Sequence, residues 1–283
     1  MLPCRSRRGA YRSEDPRTPE YGFPVVRYMA KLPRLYIPGQ PQHVILPGLD
    51  DRPAFVDEVD CNIFVNCLRD AVRRYETGIH AWALLPGGVH LVATPANETA
   101  LSLTMQAIGR RYVAIYNARH DRSGPLWAGR YRATVIEPER YLLMASRLVE
   151  RAPVRAGLAT APENYRWSSY RHHAGLCTDP IVSEHALFEA LGSTPFERHH
   201  AWKHLCGQPL DEGEVATLMA ATLKGWALGS GTYLAWASGR ANRRISRLPR
   251  GPQRKSPEAP AQPQDKPAHC QTDYPYHDRA NPR

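Results

Sequence analysis

The spacing of apolar positions changes several times along the chain, and each change predicts an element. Gln42 to Leu46 reads as a strand that runs into the turn-rich Pro47-Gly48-Leu49-Asp50-Asp51. Between Asp57 and Tyr75 the apolar residues Val59, Ile63, Phe64, Cys67, Leu68 and Val72 recur at the 3.6 period, with Arg69, Asp70, Arg73 and Arg74 on the other side. That pattern predicts an amphipathic helix. Two apolar runs, Ile79 to Leu85 and Val89 to Thr94, flank Pro86-Gly87-Gly88 and predict a hairpin over residues 78 to 94. A second helix is predicted from about Ala100 to Arg119, ended by the polar break Asp121 to Gly124. Arg130 to Ile136 alternates as a strand, and Pro138-Glu139 opens a third helix through about Val149. The order β-α-β-β-α-β-α predicts an α+β fold of the ferredoxin-like split βαβ type, an antiparallel sheet with two helices on one face.

Beyond the third helix the periodicity weakens. Ser183 to Leu191 and Asp211 to Lys224 read as helices, and Trp226 to Trp236 as a small apolar segment docked on the domain. Residues 1 to 28 are polar, carry six Arg and have neither period, so they read as a disordered leader, with Met29 a plausible true start. From Pro249 onward eight prolines fall in 35 residues with few apolar anchors, too little buried surface to offset the entropy of ordering. The expected organisation is a leader (1–28), a folded domain (29–160), a helical C-terminal extension (161–244) and a basic Pro-rich tail (245–283).

With 283 residues and 42% hydrophobic content, the chain can build a real core. Its formal charge of +10 points to a polyanionic partner, nucleic acid before membrane, since no apolar stretch of about 18 residues could span a bilayer. Arg outnumbers Lys 32 to 5, a bias that a GC-rich genome also produces, so the position of the charges carries more weight than their kind. The six cysteines (Cys4, Cys61, Cys67, Cys177, Cys206, Cys270) form no CxxC pair, which argues against a zinc site or a disulfide framework and fits reduced thiols in the cytoplasm. The N-terminus lacks the apolar core of a secretory signal.

Several segments together carry a family resemblance. They are Leu35-Tyr36-Ile37-Pro38-Gly39-Gln40-Pro41-Gln42-His43-Val44, the hairpin with Leu84-Leu85-Pro86-Gly87-Gly88-Val89-His90-Leu91-Val92, and Gly109-Arg110-Arg111-Tyr112-Val113. Leu126-Trp127-Ala128-Gly129-Arg130-Tyr131-Arg132, Pro153-Val154-Arg155-Ala156-Gly157 and Trp167-Ser168-Ser169-Tyr170 complete the set. From about Met29 to about Ala241 the chain resembles a REP-associated tyrosine transposase, a branch of the single-tyrosine HUH transposases. The resemblance implies an HUH domain that cleaves hairpin-forming single-stranded DNA. A tyrosine attacks a phosphodiester and is left in a 5′-phosphotyrosine link, while Mg²⁺ or Mn²⁺ held by two histidines and a polar helix residue polarises the phosphate.

Residue by residue, the resemblance places the nucleophile at Leu148, the helical ligand at Ala152 and the first histidine at Gly88, leaving His90 as the surviving ligand position. Three of four chemical positions hold groups that neither attack nor coordinate, which is better explained by loss of selection for cutting than by one substituted ligand. A single imidazole holds hard, hydrated Mg²⁺ poorly, so no cofactor is expected, with Mg or Mn required only if activity remains. Restoring Gly88→His, Leu148→Tyr and Ala152→Asn together is the minimum expected for any recovery. Tyr141, two turns before Leu148 on the same face, is the candidate substitute nucleophile, although two turns are about 11 Å along the axis.

The DNA-facing features are better kept. Residues 110 to 155 hold ten Arg against Asp121, Glu137, Glu139 and Glu150. Arg110, Arg111, Tyr112, Arg119, Arg130, Tyr131, Arg132 and Arg155 are candidate contacts, cations for phosphates and rings for unpaired bases. Arg110 and Arg132 are expected to share one footprint. Lys31 and Arg34 resemble the arm that reads bases beside the hairpin in the family. The expected function is a DNA-binding protein of this family that recognises hairpin or single-stranded DNA in the bacterial cytoplasm or nucleoid and no longer cuts. The alternatives are an active transposase using substitutes such as Tyr141, a decayed element product, or an RNA-binding module. Oligomeric state is left open.

Overall fold

The computed structural model describes residues 33–49 and 52–246. The leader, Lys31 and all but the first residues of the Pro-rich tail lie outside the described residues. The central sheet is built from β1 (Gln42–Pro47), β2 (Thr77–Leu85), β3 (Gly88–Pro95) and β4 (Arg132–Val135). Helices α1 (Glu58–Arg74) and α2 (Ala100–Arg119) form the crossovers, and α3 (Pro138–Arg155) follows β4. Strand order is β2-β3-β1-β4 with every pair antiparallel, the ferredoxin-like arrangement.

Local chemistry sets these boundaries. The Asp57 side chain caps α1 by accepting from the Asp60 amide, with acids in the first turn and Arg73 and Arg74 in the last, each suited to its end of the helix dipole. One face of the sheet, through Val44, Leu46, Leu84 and Leu91, packs against α1 and α2. Between Ile79 and Ala81 the β2–β3 register shifts at a bulge, so His80 is the extra residue. Its ring nitrogens lie 2.7 Å from the Ser183 carbonyl and 2.7 Å from Thr94 Oγ1, so the buried imidazole is fully satisfied.

The α3 helix runs six residues past its expected end at Val149. Pro153 falls in the last turn, where it removes one backbone donor near the terminus, and the Ala156 amide still closes on the Ala152 carbonyl. The rest of the chain forms α4 (Tyr170–His173), α5 (Ala186–Glu189), α6 (Pro195–Gly207), α7 (Glu212–Lys224) and α8 (Gly231–Ser238). Only four residues of the helix expected over 183–191 are helical. Helix α6 was not anticipated, because few apolar residues anchor it; the signal missed is Thr194-Pro195-Phe196-Glu197, a capping box closed in both directions.

Helices α3 and α7 cover the second face of the sheet, where Ala81, Ala83 and Val92 meet Leu142, Ala145, Leu148 and Leu218. The extension is interlocked with the sheet: Ser168 bridges Ala83, Val182 bridges Ile79, and Leu228 bridges Ile136. It is also anchored by a buried carboxylate. Glu150 of α3 accepts from Ser169 Oγ at 2.5 Å and Trp202 Nε1 at 2.8 Å, with His173 Nδ1 2.6 Å away. No helix of the described residues is long and apolar enough to cross a membrane.

Candidate nucleic-acid interface

Antiparallel pairing puts directly opposed residues on one face. The register therefore draws a row across the sheet, Ala83, His90, Ile45 and Arg132, on the α3 side. A second row is Ala81, Val92, His43 and Thr134. His43 and His90 are diagonal neighbours with ring centroids 6.1 Å apart. The sequence quoted His43 without assigning it a role, because only strand pairing brings positions 43 and 90 together.

The His43 ring is wholly buried, and its Nδ1 lies 2.8 Å from Thr222 Oγ1. The threonine hydroxyl donates to the Leu218 carbonyl, so Nδ1–H of His43 donates to it and Nε2 keeps a bare lone pair without a partner. Nδ1 of His90 is likewise buried without a partner among the described residues. Burial, and secondarily the His90 ring, push His43 down to about 3, and burial pushes His90 and His80 down to about 4.

These shifts set an acid limit on stability. Above the ordinary histidine value of about 6.5, His43 and His80 are neutral in both folded and unfolded chains. As pH falls from there toward about 4, the unfolded chain takes up protons that the native rings refuse, so stability falls. Each ring contributes a slope of about 1.4 kcal/mol per pH unit within that window. Denaturant midpoints should drop markedly between pH 7 and pH 5; equal midpoints would contradict this burial.

The four positions of the implied cleavage chemistry fare differently. Leu148 is buried in the apolar layer beneath α3. Ala152 has no donor atom. Gly88 has φ +145°, and a Cβ there would overlap the Leu46 carbonyl oxygen and lie 3.1 Å from Pro47 Cα and 3.2 Å from Gly48 N. A histidine at 88 therefore requires the hairpin to move, so the three side-chain restorations expected as a minimum also need a change of backbone. Tyr141 shares the buried face with Leu148 as expected, but at 5% exposure its phenol is packed in the core. The residues do not fit a hard divalent cation: two imidazoles offer nitrogen alone, and no group of three or more His, Cys, Asp or Glu among the described residues could hold a metal.

The candidate DNA contacts separate into three groups. Tyr112 is fully buried with its hydroxyl donating to the Ala54 carbonyl, and Tyr131 is buried beside Ser102, so neither ring is open to stack on a base. Arg119 is committed to Asp57 and Asp60, tying the end of α2 to the start of α1; Arg111 pairs with Asp70 at 2.5 Å and Arg155 with Glu212 at 2.5 Å. Arg110 is exposed on α2, on the opposite side of the sheet from Arg132, so the structure does not bring these two together. Arg130 and Arg132 remain at the β4 edge, and Arg34 lies 3.8 Å over the Tyr131 ring. Arg243, which was not among the candidate contacts, also lies near this edge, through the Asn242 side chain that bonds the Arg34 carbonyl.

The framework is thus an α+β ferredoxin-like sheet with a basic outer strand. No family model matches the chain, and no curated protein matches it. Among solved structures the chain is similar to a REP-associated tyrosine transposase bound to a REP hairpin, at 16% identity over 56% of this chain and 93% of that one, with a TM-score of 0.46. It is also similar to a chain assigned as a transposase in Deinococcus radiodurans R1, at 22% identity over 42% of this chain and 93% of that one, with a TM-score of 0.30.

Proposed function

We propose that the chain is a DNA-binding protein of the single-tyrosine transposase type that recognises structured single strands and does not cleave them. The observation that carries this reading is the distribution of unneutralised charge. Among the described residues, no carboxylate pairs with Arg34, Arg130, Arg132 or Arg243, whereas Arg111, Arg119 and Arg155 are spent on acids. A set of cations left without counter-charge along one sheet edge suits a phosphate backbone. Loss of cleavage is supported by the closed turn at Gly88, the packed Leu148 and the absence of a ligand at Ala152.

Affinity for a DNA hairpin should fall steeply as salt rises, with a log-log slope of roughly 0.7 to 0.9 per phosphate contact. With Mg²⁺ or Mn²⁺ the protein should give neither a nick nor a covalent adduct. An adduct that disappears in Tyr141→Phe would instead establish the substitute nucleophile, and stronger binding to a matched RNA hairpin would favour the RNA reading.

A further inference from the structure

The N-terminal segment and the last described residues meet beside β4, although they are more than 200 residues apart in sequence. Asn242 joins them: its Nδ2 donates to the Arg34 carbonyl at 3.0 Å, and its Oδ1 accepts from the Tyr36 amide at 3.0 Å. The clamp brings the next residue, Arg243, into the surroundings of Arg34. Arg243 donates to the Gly225 and Arg244 carbonyls and lies 5.4 Å from the Trp226 ring centroid, so its guanidinium is held in place without an acid.

Around Arg34 three other arginines act against its charge. Burial lowers its guanidinium from the ordinary value; Tyr131 opposes this, while Arg130, Arg132 and Arg243 lower it further. Nη2 of Arg34 and Nε of Arg243 are buried without hydrogen-bond partners among the described residues. Buried N–H groups of a charged fork are costly to leave unmet, and like charges gathered this closely repel. The repulsion is relieved by an anion with several acceptor oxygens that meets the accessible part of these half-buried forks, and arginine forks match phosphate geometry.

We propose that Arg34, Arg130, Arg132 and Arg243 form a seat for a phosphodiester group of the bound DNA strand, so that the C-terminal extension supplies part of the nucleic-acid interface. This rests on the DNA-binding reading and adds to it a defined location. Tyr131 serves the seat from beneath, by holding the Arg34 fork against its ring face rather than by stacking on a base. The arginine of the N-terminal arm is thereby assigned to the backbone of the strand.

The test compares the full-length protein with the double variant Arg132→Gln/Arg243→Gln and with Arg73→Gln, an exposed α1 position, by hairpin anisotropy titrations from low to high salt. The double variant should bind about tenfold more weakly at moderate salt and lose roughly one unit or more of log-log slope, while Arg73→Gln keeps the native slope. Circular dichroism of the double variant confirms that it is folded. Native binding with an unchanged slope in the double variant overturns the seat and leaves the DNA reading standing. Absence of salt-dependent hairpin binding by the native protein overturns both. Inorganic phosphate is the second arm: millimolar phosphate should displace the hairpin beyond the effect of chloride at equal ionic strength, and only when Arg132 and Arg243 are present, whereas phosphate that binds at these arginines without displacing the hairpin assigns the seat to a free anion and overturns the proposal.

Discussion

Replacing Glu150 with alanine should destabilise the chain by about 3–5 kcal/mol, because several buried polar groups lose an acceptor at about 1–3 kcal/mol each. The carboxylate is wholly buried and serves three elements at once. Without it the Trp202 indole N–H and His173 Nδ1 lose their buried partner, and the Ser169 hydroxyl keeps only its bonds to the Trp82 backbone. For a unit of this size the loss corresponds to a fall in melting temperature of roughly 10 °C. Glu150→Gln should fall between the two, because an amide oxygen replaces only part of the acceptor capacity. The damage should begin locally, with amide exchange accelerating in α6 and residues 169–173 before the sheet. A change below about 1 kcal/mol in chemical denaturation would show that the extension is held by its apolar contacts alone.

Gly88→His should destabilise the hairpin by about 3 kcal/mol or more, combining the strain of a side chain at positive φ with a collision against backbone. Gly88→Ala should lose nearly as much, since the offending atom is Cβ. Adding Leu148→Tyr and Ala152→Asn should not produce a DNA adduct, with or without Mn²⁺. The tyrosine would have to leave a packed layer, and the new imidazole at 88 would sit on a turn displaced by its own Cβ. A triple variant that melts like the native chain and forms an adduct would prove that the turn opens readily. The result separates two histories for the site: a point loss reverses with the side chain, whereas a rebuilt turn does not.

Much of the fold was legible because two periods dominate residues 42 to 149. Alternation and 3.6 spacing are local, and α2 was delimited to the residue. The end of α3 was not legible, since a proline normally argues against continuation and only its place in the final turn makes it harmless. The candidate site was readable in part. The substitutions at 88, 148 and 152 are plain in the sequence, but the backbone change at Gly88 is a torsion, which composition does not encode. Arginines show the same divide. Arg119 and Arg132 look alike as letters, and their difference comes from acids 59 and 62 positions away that only folding brings to Arg119. Arg243 was invisible as a site residue because its neighbour Arg34 lies near the other end of the chain.

The three bridges from the extension to the sheet have a colloidal consequence. An outer strand with unpaired amides and carbonyls is a template on which a foreign strand can add, the usual first step of edge-to-edge aggregation. Here β2 is one outer strand, and backbone at Ser168 and Val182 already occupies positions along it. At the end of β4, the other outer strand, Leu228 donates to the Val135 carbonyl and accepts from the Glu137 amide. The extension thus acts as a selvedge to the sheet, finishing both rims and leaving little exposed backbone for a second copy to extend.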